Sequence, residues 1–327
     1  MWFGKNSVTV NNFVNIRFAV IRLGLAGMLT LGISGLAAEE FTLDMAAAAA
    51  EKGDPQAEFF MAQRCAHGVG VPRDYMKAVA YLRRSANQGY APAQTSLGSC
   101  YAHGLGVKQD YGEAVRWYRK AAVRGDSLAE YSLGYAYAHG KGVTKDVEAA
   151  LKWWQKSAEQ GQVYAQNALG QFYFYGEHPG DTNHVNYPEA TRWLRKAADL
   201  GSAPAMSTLG YMYLYGVGMG RDWSQALQWN RRAAELGDPA AQDNLGQMYE
   251  NGYAGLPLDV VQAYKWFWLS EQQGNPAGRH DVMEIELHHG LTSEQIDEAK
   301  RMAAEFRAQM QTNQPAATPE GQTESVH

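Results

Sequence analysis

The chain has 327 residues, of which 46% are apolar and 19% charged, so it is long and apolar enough to bury a large core. Its formal net charge of −5 argues against binding to nucleic acid or to an anionic membrane surface, because both need a basic face. Two cysteines, Cys65 and Cys100, are too few for a disulfide framework, and whether they pair stays open at this stage.

The first 38 residues have the pattern of an export signal. Basic residues extend to Arg22, an uncharged stretch follows, and small residues suit cleavage after Ala37 or Ala38. The apolar core from Leu23 to Ala38 is shorter than the roughly 20 apolar residues of a membrane-spanning helix. We therefore expect a signal peptide at 1–38 and a periplasmic or secreted protein. The alternative is an uncleaved inner-membrane anchor with the protein facing the periplasm, and only in that case do we expect membrane contact.

Residues 39–52 form the next predicted element, a short helix. The alanine-rich run from Met45 to Gly53 is typical of the end of a second repeat helix without its partner. We expect an N-terminal capping half-repeat helix here, because the first unit of a repeat array has a neighbour on one side only.

A repeat of about 36 residues occupies 53–273. Within each unit an alanine, a leucine, a glycine and a tyrosine recur on one face of a helix, as in the stretch from Ala129 to Tyr137. A glycine inside a helix costs about 1 kcal/mol relative to alanine, so its persistence predicts the close approach of a second helix. The repeats, including a seventh that keeps only its outline, open at Gly53, Gly89, Gly125, Gly161, Gly201, Gly237 and Gly274.

The second helix of each unit follows a glycine-containing turn and an aspartate that is placed to cap it. It carries small residues that let helices touch and large rings that fill the space between repeats, such as Ala114, Trp117 and Tyr118. Each helix has only about a dozen residues, a length that is marginal in isolation, so stability has to come from stacked neighbours.

These residues, in this order, resemble the Sel-like repeat, a relative of the tetratricopeptide repeat with a longer turn between its helices. The motif A-x(3)-L-G-x(2)-Y-x(2)-G, followed by D-x(3)-A-x(2)-W-[YW]-x(2)-A-A, extends from Gly53 to about Gln273. The resemblance implies an all-α, right-handed α-solenoid of helix-turn-helix repeats. It also implies a non-enzymatic scaffold, adaptor or regulator of the bacterial cell envelope that holds a protein or peptide segment in its concave groove.

The last predicted elements are a degenerate seventh repeat with a C-terminal capping helix, at 274–311, and a disordered tail, at 312–327. Thr292 and Gln295 can form a capping box at the start of that helix, and apolar residues from Ile296 onward make one stripe along it. The tail is rich in Thr, Gln, Pro and Glu and has almost nothing to bury.

Three histidines, His67, His103 and His139, recur in an Ala-His-Gly tripeptide at the end of a first helix. A histidine there can hydrogen-bond the last carbonyls of the helix and interact favourably with its dipole. Successive helices lie about 8 to 10 Å apart, too far for a ladder of histidines to share one ion at Zn–N distances near 2 Å. We therefore expect helix-end histidines and no metal site.

An insertion lengthens the fourth repeat by four residues and collects metal-ligand residue types without a recognised spacing. We expect a solvated loop, with contact to a partner as the alternative. The residues concerned are Glu177, His178, Asp181, Asn183 and His184.

The sequence lacks the signatures of serine hydrolases, zinc proteases, P-loop NTPases and Rossmann enzymes. A Cys65 or Cys100 nucleophile would need a basic partner, and the nearest histidines lie only two or three residues further on, at poor angles on a helix. We predict no catalytic residue and no cofactor. The alternative is a cell-wall-related hydrolase, since penicillin-binding or β-lactam-hydrolysing activity is reported for some family members, although this chain offers no activated serine.

The predicted partner-binding residues follow from the resemblance, because the first helices of tetratricopeptide-like arrays line the concave surface. Positions 6, 10, 13 and 14 after each opening glycine then fall on that surface. Tyrosine is frequent there in the middle repeats, and it offers a large contact area with a polar tip at low entropy cost. The predicted residues are Tyr131, Tyr135, His139, Gln171, Phe174, Tyr175, Tyr211, Leu214 and Tyr215.

Overall fold

The computed structural model describes residues 43–177 and 183–313, and all regular structure in these ranges is helical. The signal peptide predicted at 1–38 and most of the tail predicted at 312–327 lie outside the described residues. None of the described helices combines the length and the apolar character that crossing a bilayer requires. The helices are α1 (Leu43–Glu51), α2 (Pro55–His67), α3 (Tyr75–Asn87), α4 (Ala91–His103), α5 (Tyr111–Val123), α6 (Ser127–His139), α7 (Val147–Glu159), α8 (Val163–Tyr175), α9 (Tyr187–Asp199), α10 (Ala203–Tyr215), α11 (Trp223–Glu235), α12 (Pro239–Glu250), α13 (Val260–Glu271), α14 (Pro276–His288) and α15 (Ser293–Asn313).

The described part of the chain divides into two compact units, which meet between Gln88 and Gly89 in the sequence. In the second unit each first helix packs against the second helix that follows it, beginning with α4 and α5, and each pair packs against the next pair. The first helices α8, α10, α12 and α14 also contact one another in succession. Such an array takes its stability from contacts between neighbouring repeats rather than from one central core.

The first unit contains α1, which lies within the segment predicted as a capping helix, and the pair α2 and α3. Glu58 is buried between α2 and α3, and its charge is compensated inside the pair. Its Oε1 lies 2.6 Å from Arg84 Nε, and its Oε2 accepts a hydrogen bond from Gln88 Nε2 at 2.9 Å. Helices α2 and α3 are therefore joined by an ion pair with a buried carboxylate as well as by apolar contacts.

The recurring glycine of the first helices α4, α6, α8, α10 and α12 lies directly against a side chain of the second helix. A Cβ atom added at Gly98 would lie 2.7 Å from Tyr118 Cε1, and one added at Gly170 would lie 2.6 Å from Leu194 Cγ. These separations are shorter than carbon–carbon contact allows, so each site has room only for hydrogen. The close helix approach predicted from the persistent glycine is confirmed.

Glycine and aspartate set the turn inside each helix pair. Gly104 and Gly140 end α4 and α6 in the left-handed conformation, with φ of 69° and 64°. The carboxylate of Asp110 accepts the amide of Glu113 at 3.0 Å to begin α5, and Asp146 does the same at the start of α7. The predicted glycine ends and aspartate caps are both confirmed.

The last helix, α15, begins with the predicted capping box. Thr292 N–H donates to Gln295 Oε1 at 3.0 Å, and Gln295 N–H donates to Thr292 Oγ1 at 3.3 Å. The helix buries Ala299 and Ala303 and packs against α13. It thereby covers α13, the second helix of the sixth repeat, which the degenerate seventh repeat covers only in part.

Candidate functional site: the first-helix face

The nine predicted partner-binding residues lie on three consecutive first helices, α6, α8 and α10. We call the side of α6, α8, α10, α12 and α14 that carries them and their counterparts the first-helix face. Its tyrosines differ in exposure: Tyr175 is 61% exposed, whereas Tyr211 and Tyr215 are each 41% exposed. Phe174 and Leu214 are buried, the latter at 2% exposure, so they support this face from beneath and are not part of its accessible surface.

Two of the helix-end histidines hydrogen-bond the last turn of their own helices. His139 Nδ1 lies 2.9 Å from the carbonyl oxygen of Tyr135, and the two rings stack with centroids 4.0 Å apart. His103 Nδ1 makes the same contact with the carbonyl oxygen of Ser99 at 2.8 Å. The predicted contact to helix-end carbonyls is thus confirmed at His103 and His139. Within residues 43–177 and 183–313, no group of three or more His, Cys, Asp or Glu is placed to hold a metal ion.

Both cysteines are free thiols, Cys65 buried and Cys100 half-buried. Burial raises the pKa of Cys65, and it raises the pKa of Cys100 to about 11. Because the thiolate is the reactive form, burial makes both sulfurs poor nucleophiles at neutral pH. These positions therefore fit a structural role in helix packing.

A row of side-chain contacts links the first helices from α6 to α10. The rings of Tyr131 and Tyr164 join α6 to α8, with centroids 5.7 Å apart. Gln171 Nε2 donates to Thr208 Oγ1 at 2.7 Å, which joins α8 to α10. The position of each side chain along this face therefore depends on the next repeat.

Two exposed tyrosines, Tyr211 and Tyr215, take part in this row of contacts. Phe174 meets the Tyr211 ring edge to face, with centroids 6.1 Å apart. Tyr211 in turn contacts Tyr215 at a centroid distance of 4.6 Å, and the Tyr215 hydroxyl donates to Gln247 Oε1 on α12. Burial raises the pKa of Tyr215, so its hydroxyl keeps the proton that it donates.

Beyond α10 the face becomes acidic. Gln247 Nε2 donates to Asp243 Oδ2 at 3.1 Å and to Asp281 Oδ2 on α14 at 3.4 Å, so two carboxylates share one amide. Asp243 is 6% exposed, and burial, followed by the charge of Asp281, raises its pKa to about 8 against the opposing effect of the Gln247 hydrogen bond. The site prediction did not include these residues, although Asp243 and Gln247 stand 6 and 10 residues after Gly237, at the positions named for the middle repeats.

The other carboxylates at this end are paired with histidines. Glu250 Oε1 lies 3.1 Å from His289 Nε2, and Glu284 Oε2 lies 3.5 Å from His288 Nε2. Burial raises the pKa of Glu250, while the neighbouring His289 lowers it. These pairs are ionic only when the imidazoles are protonated.

The ends of the insertion in the fourth repeat are fastened to the array. Glu177 pairs with Lys145 Nζ at 2.8 Å, and the His184 ring meets the Phe172 ring edge to face at a centroid distance of 5.4 Å. The loop residues His178 and Asp181 lie outside the described residues.

The alternation of helices, the glycine contacts and the capped turns recur with the period of a known repeat. The family model "Sel1 repeat" matches six consecutive segments, which together make up most of the chain. The chain belongs to the Sel1 repeat family. The matched segments are residues 55–90, 91–126, 127–162, 163–202, 203–238 and 239–275.

Solved structures show the same fold in two bacterial relatives of this Sel1 repeat protein. A protective antigen of uropathogenic Escherichia coli strains, which displays an SLR fold, is 35% identical with a TM-score of 0.65. That comparison covers 81% of this chain but 56% of the antigen, so the chain spans little more than half of the antigen's length. A Sel1 repeat protein from Oxalobacter formigenes is 29% identical with a TM-score of 0.63, over 71% of this chain and 100% of that protein. No match was found among curated proteins.

The family and the fold agree with the sequence analysis. The protein is an all-α solenoid of tandem helix-turn-helix Sel1 repeats. Sel1 repeat proteins are generally scaffolds for protein–protein interaction, and their fold is typically non-catalytic.

Proposed function

We propose that this Sel1 repeat protein is a non-enzymatic adaptor of the cell envelope that binds a peptide or protein segment on the first-helix face. The observation that carries the proposal is the group of exposed tyrosines Tyr175, Tyr211 and Tyr215, of which Tyr211 and Tyr215 are held by contacts to neighbouring repeats. The envelope location rests on the export signal predicted at 1–38, with a periplasmic or secreted protein as its consequence.

The tyrosines have the properties of an interface anchor. Tyr211 and Tyr215 offer ring surface to solvent while their neighbours restrict them: Phe174 lies against one ring, and Gln247 accepts from the hydroxyl of the other. A side chain that is already ordered loses little conformational entropy on binding, so more of the contact energy appears as affinity. Exposed aromatic residues that lie next to one another on a water-soluble surface commonly mark interaction sites.

The test compares two triple variants of the full chain, produced in cells so that any processing is native. Tyr175→Ala, Tyr211→Ala and Tyr215→Ala together remove the exposed rings of the first-helix face. The control removes three exposed apolar side chains at the ends of second helices: Val123→Ala, Leu200→Ala and Leu236→Ala.

Capture of cross-linked envelope proteins, read by mass spectrometry, measures partner retention. We expect the unmodified chain and the control to retain the same protein in similar amounts. The tyrosine variant should retain at least about tenfold less of it, because aromatic anchors dominate interface energies. Circular dichroism establishes that all three are folded. Equal retention by the two variants would place the interaction elsewhere. N-terminal sequencing of the recovered chain reports whether residues 1–38 are removed.

A further inference from the structure

We propose that the acidic end of the first-helix face receives a lysine or arginine side chain of the partner segment. The acidic end consists of Asp243, Gln247 and Glu250 on α12 together with Asp281 and Glu284 on α14. The inference rests on the function proposed above and specifies the chemistry of the partner at one position.

The first argument is the lack of permanent positive charge at the acidic end. Among the described residues, the ion-pair partners of these carboxylates are histidines: His280 for Asp281 and Glu284, His288 for Glu284, and His289 for Glu250. Each of these pairs is ionic only when the imidazole is protonated. Asp243 has no ion-pair partner in the described part of the chain. A guanidinium or ammonium group supplies the charge that the acidic end lacks.

The second argument is an incompletely satisfied carboxyl group beneath the surface. Asp243 is more than nine-tenths buried, its Oδ2 accepts from Gln247, and its Oδ1 has no hydrogen-bond partner among the described residues. A buried carboxyl group needs either a proton or a nearby cation to offset its desolvation. Asp281 shares the Gln247 amide with it and has a side chain that is 23% exposed. A cation can therefore reach Asp281 from solvent, and its charge would favour release of the proton that the buried Asp243 holds beneath it.

The third argument is the position of the aromatic rings. Tyr215 is bonded through its hydroxyl to Gln247, the same residue that holds both aspartates, and Tyr211 lies beside it. Lysine and arginine have apolar stems that pack along rings while the charged head reaches a carboxylate. The tyrosines and the acidic end thus provide the two parts of a site for one long basic side chain.

The experiment uses the full chain and an array of 12-residue peptides with randomised sequences. Every peptide that contains Lys or Arg is synthesised again with norleucine for Lys and citrulline for Arg, which removes the charge and keeps the length. The variants are Asp281→Asn, which removes the accessible carboxylate, and Asp281→Glu, which restores it on a longer stem. Glu235→Gln, at an exposed carboxylate on α11, is the matched control.

We expect the unmodified chain and the control to bind charged peptides at least tenfold more strongly than their neutral copies. Asp281→Asn should lose that preference while remaining folded by circular dichroism, and Asp281→Glu should recover part of it. Titration of single bound peptides then separates lysine from arginine. Binding that needs the tyrosines but does not distinguish charged from neutral copies would overturn this inference and leave the proposed function standing. No peptide binding by the unmodified chain would count against both.

Discussion

At the scale of single residues, Asp243 links burial to a pH dependence of stability. Burial and the charge of Asp281 raise its pKa from the ordinary 3.8 to about 8. Between these values the folded chain holds a proton that the unfolded chain has released. The free energy of unfolding therefore falls as pH rises from about 4 to about 8, and this contribution is constant above pH 8.

We expect Asp243→Asn to remove this fall in the free energy of unfolding at higher pH, because the amide is neutral and has the shape of the protonated acid. The melting temperatures of the variant and the native chain should differ least near pH 5, and the variant should melt increasingly higher as pH approaches 9. Thermal unfolding followed by circular dichroism at pH 5, 7 and 9 measures the difference, with Glu235→Gln as the control. A difference that stays the same at all three pH values would mean that Asp243 is ionised throughout.

The sequence alone could not tell which of two neighbouring positions on the first-helix face is buried and which is exposed. Phe174 and Tyr175 are adjacent in the chain, yet one is buried and the other is the most exposed tyrosine of the face. Leu214 and Tyr215 repeat this difference on the next first helix. Residues adjacent on a helix differ by about 100° in direction, so a small rotation of the helix decides which one is covered by its neighbour. That rotation is set by packing between repeats.

At the scale of elements, the close contact at the glycine between paired helices predicts that even a methyl group there destabilises the chain. We expect Gly98→Ala to destabilise the chain by about 1 to 3 kcal/mol, because the added methyl group would meet both the Tyr118 ring and the Ala114 carbonyl. Urea unfolding followed by circular dichroism measures the change. Gly220→Ala is the matched control, since a Cβ there meets no atom of the described residues within 4 Å. Equal effects at the two sites would mean that the Tyr118 ring moves aside at little cost.

Helix ends, turns and the persistent glycine could be predicted because their signals are local in the sequence. The burial of the charged residue Glu130 could not be predicted in this way. It is fully buried, and its partners are Lys156 Nζ on α7, at 2.7 Å, and Gln160, which directly follows α7. A charged residue on an isolated helical pattern indicates a solvent-facing side, and only the pairing of α6 with α7 reverses that assignment.

The acidic end was missed for a different reason. Asp243 and Gln247 occupy the positions that hold Tyr131 and Tyr135 in the third repeat, so the repeat frame itself points to them. Their importance depends on Asp281, which lies in the degenerate seventh repeat. Contact between these repeats, and not the pattern within either, brings the carboxylates together.

At the scale of the whole molecule, stability is distributed over neighbouring repeats of the second unit. We expect Leu133→Ala, at a fully buried site, to cost about 2 to 5 kcal/mol. Amide hydrogen exchange should rise most in α6, α7 and the pairs beside them, and least in α12 to α15. Tyr135→Ala, on the first-helix face, is the control and should leave protection nearly unchanged. A uniform rise across residues 89–327 would show that the second unit opens as a single cooperative body.

The helix pairs of the second unit are similar in length, and this has a mechanical consequence. Tension applied to the two ends of residues 89–275 is resisted mainly by interfaces between adjacent pairs, which resemble one another in size and chemistry. One pair of 36 residues that gives way releases about 120 to 130 Å of extended chain. Under load the array would lengthen in nearly even increments and shorten again when the load falls, so it would behave as an extensible tether between whatever its two ends hold.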